Sequence, residues 1–283
     1  MIEFSDVLQA ANLLKDRVIR TPLVYSPTFS RLANAEVYLK LESLQMGGSF
    51  KVRGATYKLQ SNLEKIHSGV IAASVGNHAQ GVALAACAAG VPATIIMPVW
   101  ASISKQEATR AYEAEVRLMG KSLVESIEIG RRMAQETNRI FIHPYDDEEV
   151  IAGQGTVGLE ILEDLPDADL IIVPVGGGGL IAGIALAAKA IRPEARVVGV
   201  QAASCPSARK ALELGRPAEV QAEERGSIAD AIMVTRVGEA PFPLLQKLVD
   251  DIVLVDEDQI ASAVLKLLER KRILAEGAAA APL

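Results

Sequence analysis

The chain has 283 residues, half of them hydrophobic, and a formal charge of −6. A net negative balance with no Lys/Arg-rich run excludes the electrostatic footprint of a nucleic-acid or anionic-membrane binder and leaves a small-molecule role. The length exceeds the usual single-domain size, so one large or two interleaved α/β domains with sizeable cores are expected.

No charged segment followed by an apolar core opens the chain, so no secretory signal is expected. The first segment that carries chemistry is Gly48-Ser49-Phe50-Lys51-Val52-Arg53-Gly54-Ala55. An ordinary lysine is almost wholly protonated at neutral pH, but desolvation beside Phe50 or the charge of Arg53 depresses its pKa, and both are means of making a nucleophilic amine. Arg53 cannot act as a base and reads as a structural carboxylate binder. His67 falls in a polar loop. Val70-Ile71-Ala72-Ala73, Ser74-Val75-Gly76-Asn77-His78 and the alanine-rich segment after them read as strand, turn and helix start, a turn that offers backbone N–H groups to an anion.

The uncharged stretch 79–104 is long enough to span a bilayer, yet Gly90, Pro92 and Pro98 divide it into helix, strand (93–97) and loop. Strands follow at 115–118 and 140–142, with His143 structural at a strand end, and the acidic 146–149 cluster reads as a helix cap and first turn. Leu170-Ile171-Ile172-Val173 is a strand, and Gly176-Gly177-Gly178-Gly179 lies between it and a helix over 180–190, so four consecutive N–H groups can approach a phosphate without Cβ obstruction. The run is neither a Walker pattern nor a full dinucleotide fingerprint. Strands at 196–200 and 252–255 complete the alternation, which predicts parallel, doubly wound sheets. The runs 170–173 and 252–255 lack polar alternation, which predicts cover on both faces. Cys87 and Cys205 are isolated, which fits reduced structural thiols and a cytoplasmic protein without a cysteine metal site.

Ser-Phe-Lys-x-Arg-Gly-Ala, Ser-x-Gly-Asn-His and the glycine run, in that order, resemble the fold-type II pyridoxal phosphate enzymes of the serine/threonine dehydratase family. Arg20-Thr21-Pro22-Leu23, Leu39-Lys40-Leu41-Glu42, His143-Pro144-Tyr145-Asp146-Asp147, Ile151-Ala152-Gly153-Gln154-Gly155-Thr156 and Ala229-Asp230 are similar to it as well. The resemblance implies two interleaved doubly wound α/β domains with parallel sheets: residues 1–46 plus 148–283 as the larger, 47–147 as the smaller and mobile one. It implies pyridoxal 5'-phosphate held as a Schiff base on Lys51, with Phe50 beside the ring and Asn77 near the pyridine hydroxyl oxygen. Gly176, Gly177, Gly178, Gly179 and Leu180 would bind the phosphate, Ser74, Gly76, Asn77 and His78 the substrate carboxylate, and Glu276 would approach the cofactor face. His78 is the weak member of that set and also reads as a helix-start residue.

The implied reaction is α,β-elimination of L-threonine or L-serine to an oxo acid and ammonia, in a cytoplasmic homo-oligomer with no nucleic-acid or membrane partner. A serine or aspartate racemase, a hydroxyaspartate dehydratase, and an impaired amino-acid-binding homologue are the alternatives. Val75 stands where racemising relatives carry a serine able to donate a proton. Gln201, Cys205 and Ser207 replace the acidic site of cation-dependent relatives, so no hard divalent metal is expected there. Gly47 replaces a common threonine and Ala231 a usual glycine, which leaves substrate shape open. The family continues past Leu283 with a partner for the pyridine nitrogen, so a truncated large domain is expected.

Overall fold

The computed structural model describes residues 2–66, 68–223 and 226–283. The expectation for His67 lies outside them. The N-terminal part contributes α1 (Phe4–Leu14), β1 (Leu23–Tyr25), α2 (Pro27–Ala33), β2 (Tyr38–Lys40) and α3 (Lys51–Ser61). There follow β3 (Val70–Ala73), α4 (Asn77–Ala89), β4 (Ala93–Met97), α5 (Ile103–Arg110), β5 (Glu115–Leu118), α6 (Leu123–Glu136) and β6 (Ile140–Phe141). The remainder runs α7 (Glu148–Asp164), β7 (Leu170–Pro174), α8 (Gly179–Ile191), β8 (Arg196–Ala202), α9 (Ser207–Leu214), α10 (Phe242–Leu248), β9 (Asp251–Val255), α11 (Glu257–Lys266) and α12 (Gly277–Ala280).

Two parallel sheets result, ordered β5-β4-β3-β6 and β7-β8-β9, beside an antiparallel ribbon of β1 and β2. The α/β class and parallel pairing agree with the alternation of the sequence. The ribbon carries no such signal, since strands of three residues leave too short a pattern to read. The uncharged stretch 79–104 resolves into most of α4, β4 and the start of α5, and no helix among the described residues is long and apolar enough to cross a membrane.

Two expectations need correction. Leu170 and Ile172 on β7, and Val253 and Leu254 on β9, are 40–47% exposed, so these strands are not covered on both faces. An unbroken apolar run records what a strand is able to bury, not whether a layer lies over each face. Cys87 is also exposed, whereas Cys205 is buried; both are free thiols.

Helix α7 positions the site, because it lies between α3 and α8 and touches both at glycines. A Cβ on Gly153 would lie 2.6 Å from Gly54 Cα, and one on Gly183 would lie 2.5 Å from Ile151 O and 2.6 Å from Gly155 N. Such backbone-to-backbone crossings admit no side chain. The helix that begins at Lys51 and the helix that begins at Gly179 are thereby held on opposite sides of one rigid element. Asp147 caps α7, its carboxylate accepting from the N–H groups of Glu149 and Val150, as the acidic cluster suggested.

Candidate active site

Lys51 opens α3, and its Nζ donates to the carbonyl oxygen of Pro144 at 2.7 Å. The amine stands 5.2 Å from the centroid of the Phe50 ring. Burial lowers its pKa to about 8, against the opposing charge of Glu276. An amine in this state is partly neutral near physiological pH, as a nucleophile or base must be.

Two residues along α3, Arg53 is fully buried and pairs with Glu42 at 2.8 Å and Glu160 at 2.6 Å. Its guanidinium also donates to Thr156 Oγ1 and Ile19 O, and Lys40 shares Glu160 at 2.6 Å. Burial opposes the charge, but the Glu42 and Glu160 hydrogen bonds outweigh it and hold the guanidinium protonated. Arg53 is therefore a carboxylate binder, as its chemistry suggested. It pins the first turn of α3 to α7 and to the segment before α3.

The turn between β3 and α4 brings Ser74, Gly76, Asn77 and His78 together. Ser74 Oγ accepts from the Gly76 N–H at 3.2 Å, and Asn77 Nδ2 donates to Glu276 Oε1 at 2.9 Å across 199 residues of chain. Glu276 stands directly before α12; burial pushes its carboxyl pKa up, while the Asn77 hydrogen bond pulls the other way. His78 points inward, not into the turn. Its Nε2 lies 2.9 Å from the Ile142 carbonyl oxygen, an acceptor only, so Nε2 carries the hydrogen and Nδ1 is left buried without a partner. Burial, and then the Lys51 charge, depresses its pKa to about 3. His143 is likewise neutral, brought down to about 2 chiefly by burial, with Nδ1 accepting from the Asp146 N–H at 2.7 Å.

At the other end, β7 leads through Gly176–Gly179 into α8. Gly178 adopts φ +96°, a conformation that L side chains rarely take, and caps the helix. The first turn of α8 thus presents Gly179 and Leu180 N–H groups at the positive end of the helix dipole. Tyr145, quoted in a motif but given no role by the sequence, lies against this loop: a Cβ on Gly177 would fall on its ring. Its only sequence signal is its place between His143 and Asp146. Gln201 Oε1 accepts from the Ala208 and Arg209 N–H groups while its Nε2 donates to Ser207 Oγ, a helix-capping arrangement.

A family model described as "Pyridoxal-phosphate dependent enzyme" matches residues 14–283. The chain belongs to this family. It is 48% identical over 281 residues to the L-threonine ammonia-lyase of Thermotoga maritima, covering 99% of this chain and 70% of that one. Among solved structures it is similar to the T.th. threonine deaminase (TM-score 0.93, 39% identity, 99% of this chain and 91% of that one). It is also similar to the serine racemase of Dictyostelium discoideum (TM-score 0.93, 32% identity, 99% and 90%). The residues present fit the family's cofactor. A buried amine that is partly neutral suits the aldehyde, and a helix start stripped of Cβ atoms suits the phosphate.

Proposed function

We propose that the chain is an L-threonine ammonia-lyase that converts L-threonine to 2-oxobutanoate and ammonia, with L-serine as a further substrate giving pyruvate. The observation that carries this is the pairing of a depressed-pKa amine at Lys51 with a Cβ-free helix start at Gly176–Gly179, joined through α7. When bound, pyridoxal phosphate supplies the electron sink that acidifies the Cα–H of an amino acid.

In this reading Lys51 Nζ holds the cofactor and, once freed by the substrate amine, accepts the Cα proton. The Pro144 carbonyl oxygen orients that amine. Backbone N–H groups of Gly176, Gly177, Gly178, Gly179 and Leu180 bind the phosphate, Phe50 packs beside the ring, and Asn77, braced by Glu276, holds the ring hydroxyl. N–H groups of the Ser74, Gly76, Asn77 and His78 turn receive the substrate carboxylate, with the His78 side chain anchoring the turn to Ile142 from behind. Segment 47–147 forms the smaller domain and the rest the larger, which places Lys51 at their junction. A homo-oligomer in the cytoplasm completes the reading.

Val75 decides between elimination and racemisation. Inversion at Cα needs a proton donor on the face opposite Lys51, and a valine side chain has none. The test is to incubate the cofactor-loaded protein with each amino acid and follow oxo acid, ammonia and the D-isomer by chiral chromatography. 2-Oxobutanoate forming from L-threonine, with oxo acid far ahead of any D-isomer, is the expected result; D-serine forming faster than pyruvate would overturn it.

A further inference from the structure

Tyr145 follows the residue that holds Lys51 and itself lies on the glycine loop. The Pro144 carbonyl oxygen accepts the Lys51 amine at 2.7 Å, while the next ring fills the space that a Cβ on Gly177 would need, its Cγ, Cδ1 and Cδ2 all closer than van der Waals contact allows. The backbone of Tyr145 blocks Gly179 as well, since a Cβ there would be 3.0 Å from Tyr145 O and 3.1 Å from its Cα. The ring is held in turn: it stands edge-on to His143 with centroids 4.7 Å apart, and its hydroxyl donates to Arg236 O at 3.4 Å. The segment it contacts is tied back to the same loop, because the Gly238 N–H donates to Gly177 O at 3.1 Å and the Ala240 N–H to Asp146 Oδ1 at 2.7 Å.

From this geometry we infer that Pro144-Tyr145 is a spacer that fixes the distance between the Lys51 amine and the phosphate-binding loop, with Tyr145 a positioning residue acting through Gly177. The inference rests on the glycine loop being the phosphate site. A ligand tethered at one end and hydrogen-bonded at the other tolerates little change in their separation, so the spacing controls its affinity. The ring does this by shape. Its hydroxyl bond is long, which makes the aromatic body, not the phenol, the working part.

The ring and the missing Cβ occupy one space, so the test is a double-mutant cycle of Tyr145→Ala and Gly177→Ala. It is read by pyridoxal phosphate titration of resolved protein and by the phosphorus NMR shift of the bound cofactor. Each single substitution is expected to weaken binding about tenfold or more, and the double variant to bind better than the product of the two losses by about fivefold, as coupled neighbours do. Tyr145→Phe should keep affinity within about threefold of the parent, since it retains the aromatic body. If Tyr145→Ala does not fold, Tyr145→Leu takes its place in the cycle. Strict additivity, or an unchanged phosphorus shift in the Tyr145 variant, would overturn the spacer role, and so would a Tyr145→Phe loss equal to that of Tyr145→Ala. Gly178→Asp separates the two levels. Loss of cofactor there with additivity in the cycle leaves the phosphate site standing and removes the spacer, whereas unaltered binding in Gly178→Asp removes both.

Discussion

The two ends of the site solve opposite problems. At the amine end stand titratable side chains, and each sits in a medium that moves its pKa: Lys51 down to about 8, His78 to about 3, and Glu276 upward. At the proposed phosphate end almost nothing is contributed by side chains, and Gly176–Gly179 offer backbone N–H groups and one left-handed residue. A titratable end is tuned by burial and neighbours, whereas a backbone end is tuned by what is kept out of it. The two kinds of site therefore fail differently when altered.

The largest expected effect is at the amine end. Lys51→Ala should lower kcat by about 10⁴-fold through loss of the base, while pyridoxal phosphate still binds reversibly at the glycine loop. Equilibrium dialysis beside steady-state assay checks this; loss of binding together with turnover would show that the two ends are not separable.

Arg53→Met comes next, because it leaves Glu42 and Glu160 buried without their shared partner. A loss of about 3–5 kcal/mol in unfolding free energy is expected from denaturant titration. A loss below about 1 kcal/mol would mean that Lys40 and Thr21 suffice to hold both carboxylates.

Gly178→Asp should raise the cofactor Kd about 100-fold with kcat largely recovered at saturating pyridoxal phosphate, since it adds strain at φ +96° and a negative charge to the loop proposed to hold the phosphate. Recovery of kcat sets it apart from Lys51→Ala, where no excess cofactor helps.

The pH dependence of cofactor capture sharpens the contrast. The amine must be neutral to attack, so the rate should rise about tenfold per unit up to a pH near 8 and then level, where an ordinary lysine would go on rising to about 10.4. The sign follows from burial lowering the pKa. Stopped-flow absorbance of cofactor-free protein mixed with pyridoxal phosphate reads it directly, and a rise continuing past a pH of about 10 would place the amine in solvent.

Asn77→Ala should be mildest, about tenfold in kcat/KM, with the Glu276 carboxyl pKa climbing further once its donor is gone. A pH profile of kcat/KM that does not move would show that Glu276 is not coupled to the reacting groups.

Much of this was legible in the sequence because both ends advertise themselves locally. Runs such as Val70–Ala73 and Ala93–Met97 mark their own strands, and a lysine among Phe50, Arg53 and small residues marks its own chemistry. What stayed hidden is relational. Nothing local says that Asn77 meets Glu276, that Pro144 offers its carbonyl oxygen to Lys51, or that Tyr145 fills the space beside Gly177. The cover on β7 and β9 failed for the same reason, since a strand's sequence carries its own polarity and not its neighbours. His78 shows the limit from the other side: a polar residue in a binding motif turned its ring into the core to bond Ile142.

The central claim is that Lys51 is the residue to which the cofactor is tied. Borohydride reduction of the cofactor-loaded protein, followed by proteolysis and mass mapping, should place the pyridoxyl group on Lys51 alone, with the visible absorption band lost in proportion. A label on another lysine, or none in protein saturated with pyridoxal phosphate, would contradict it.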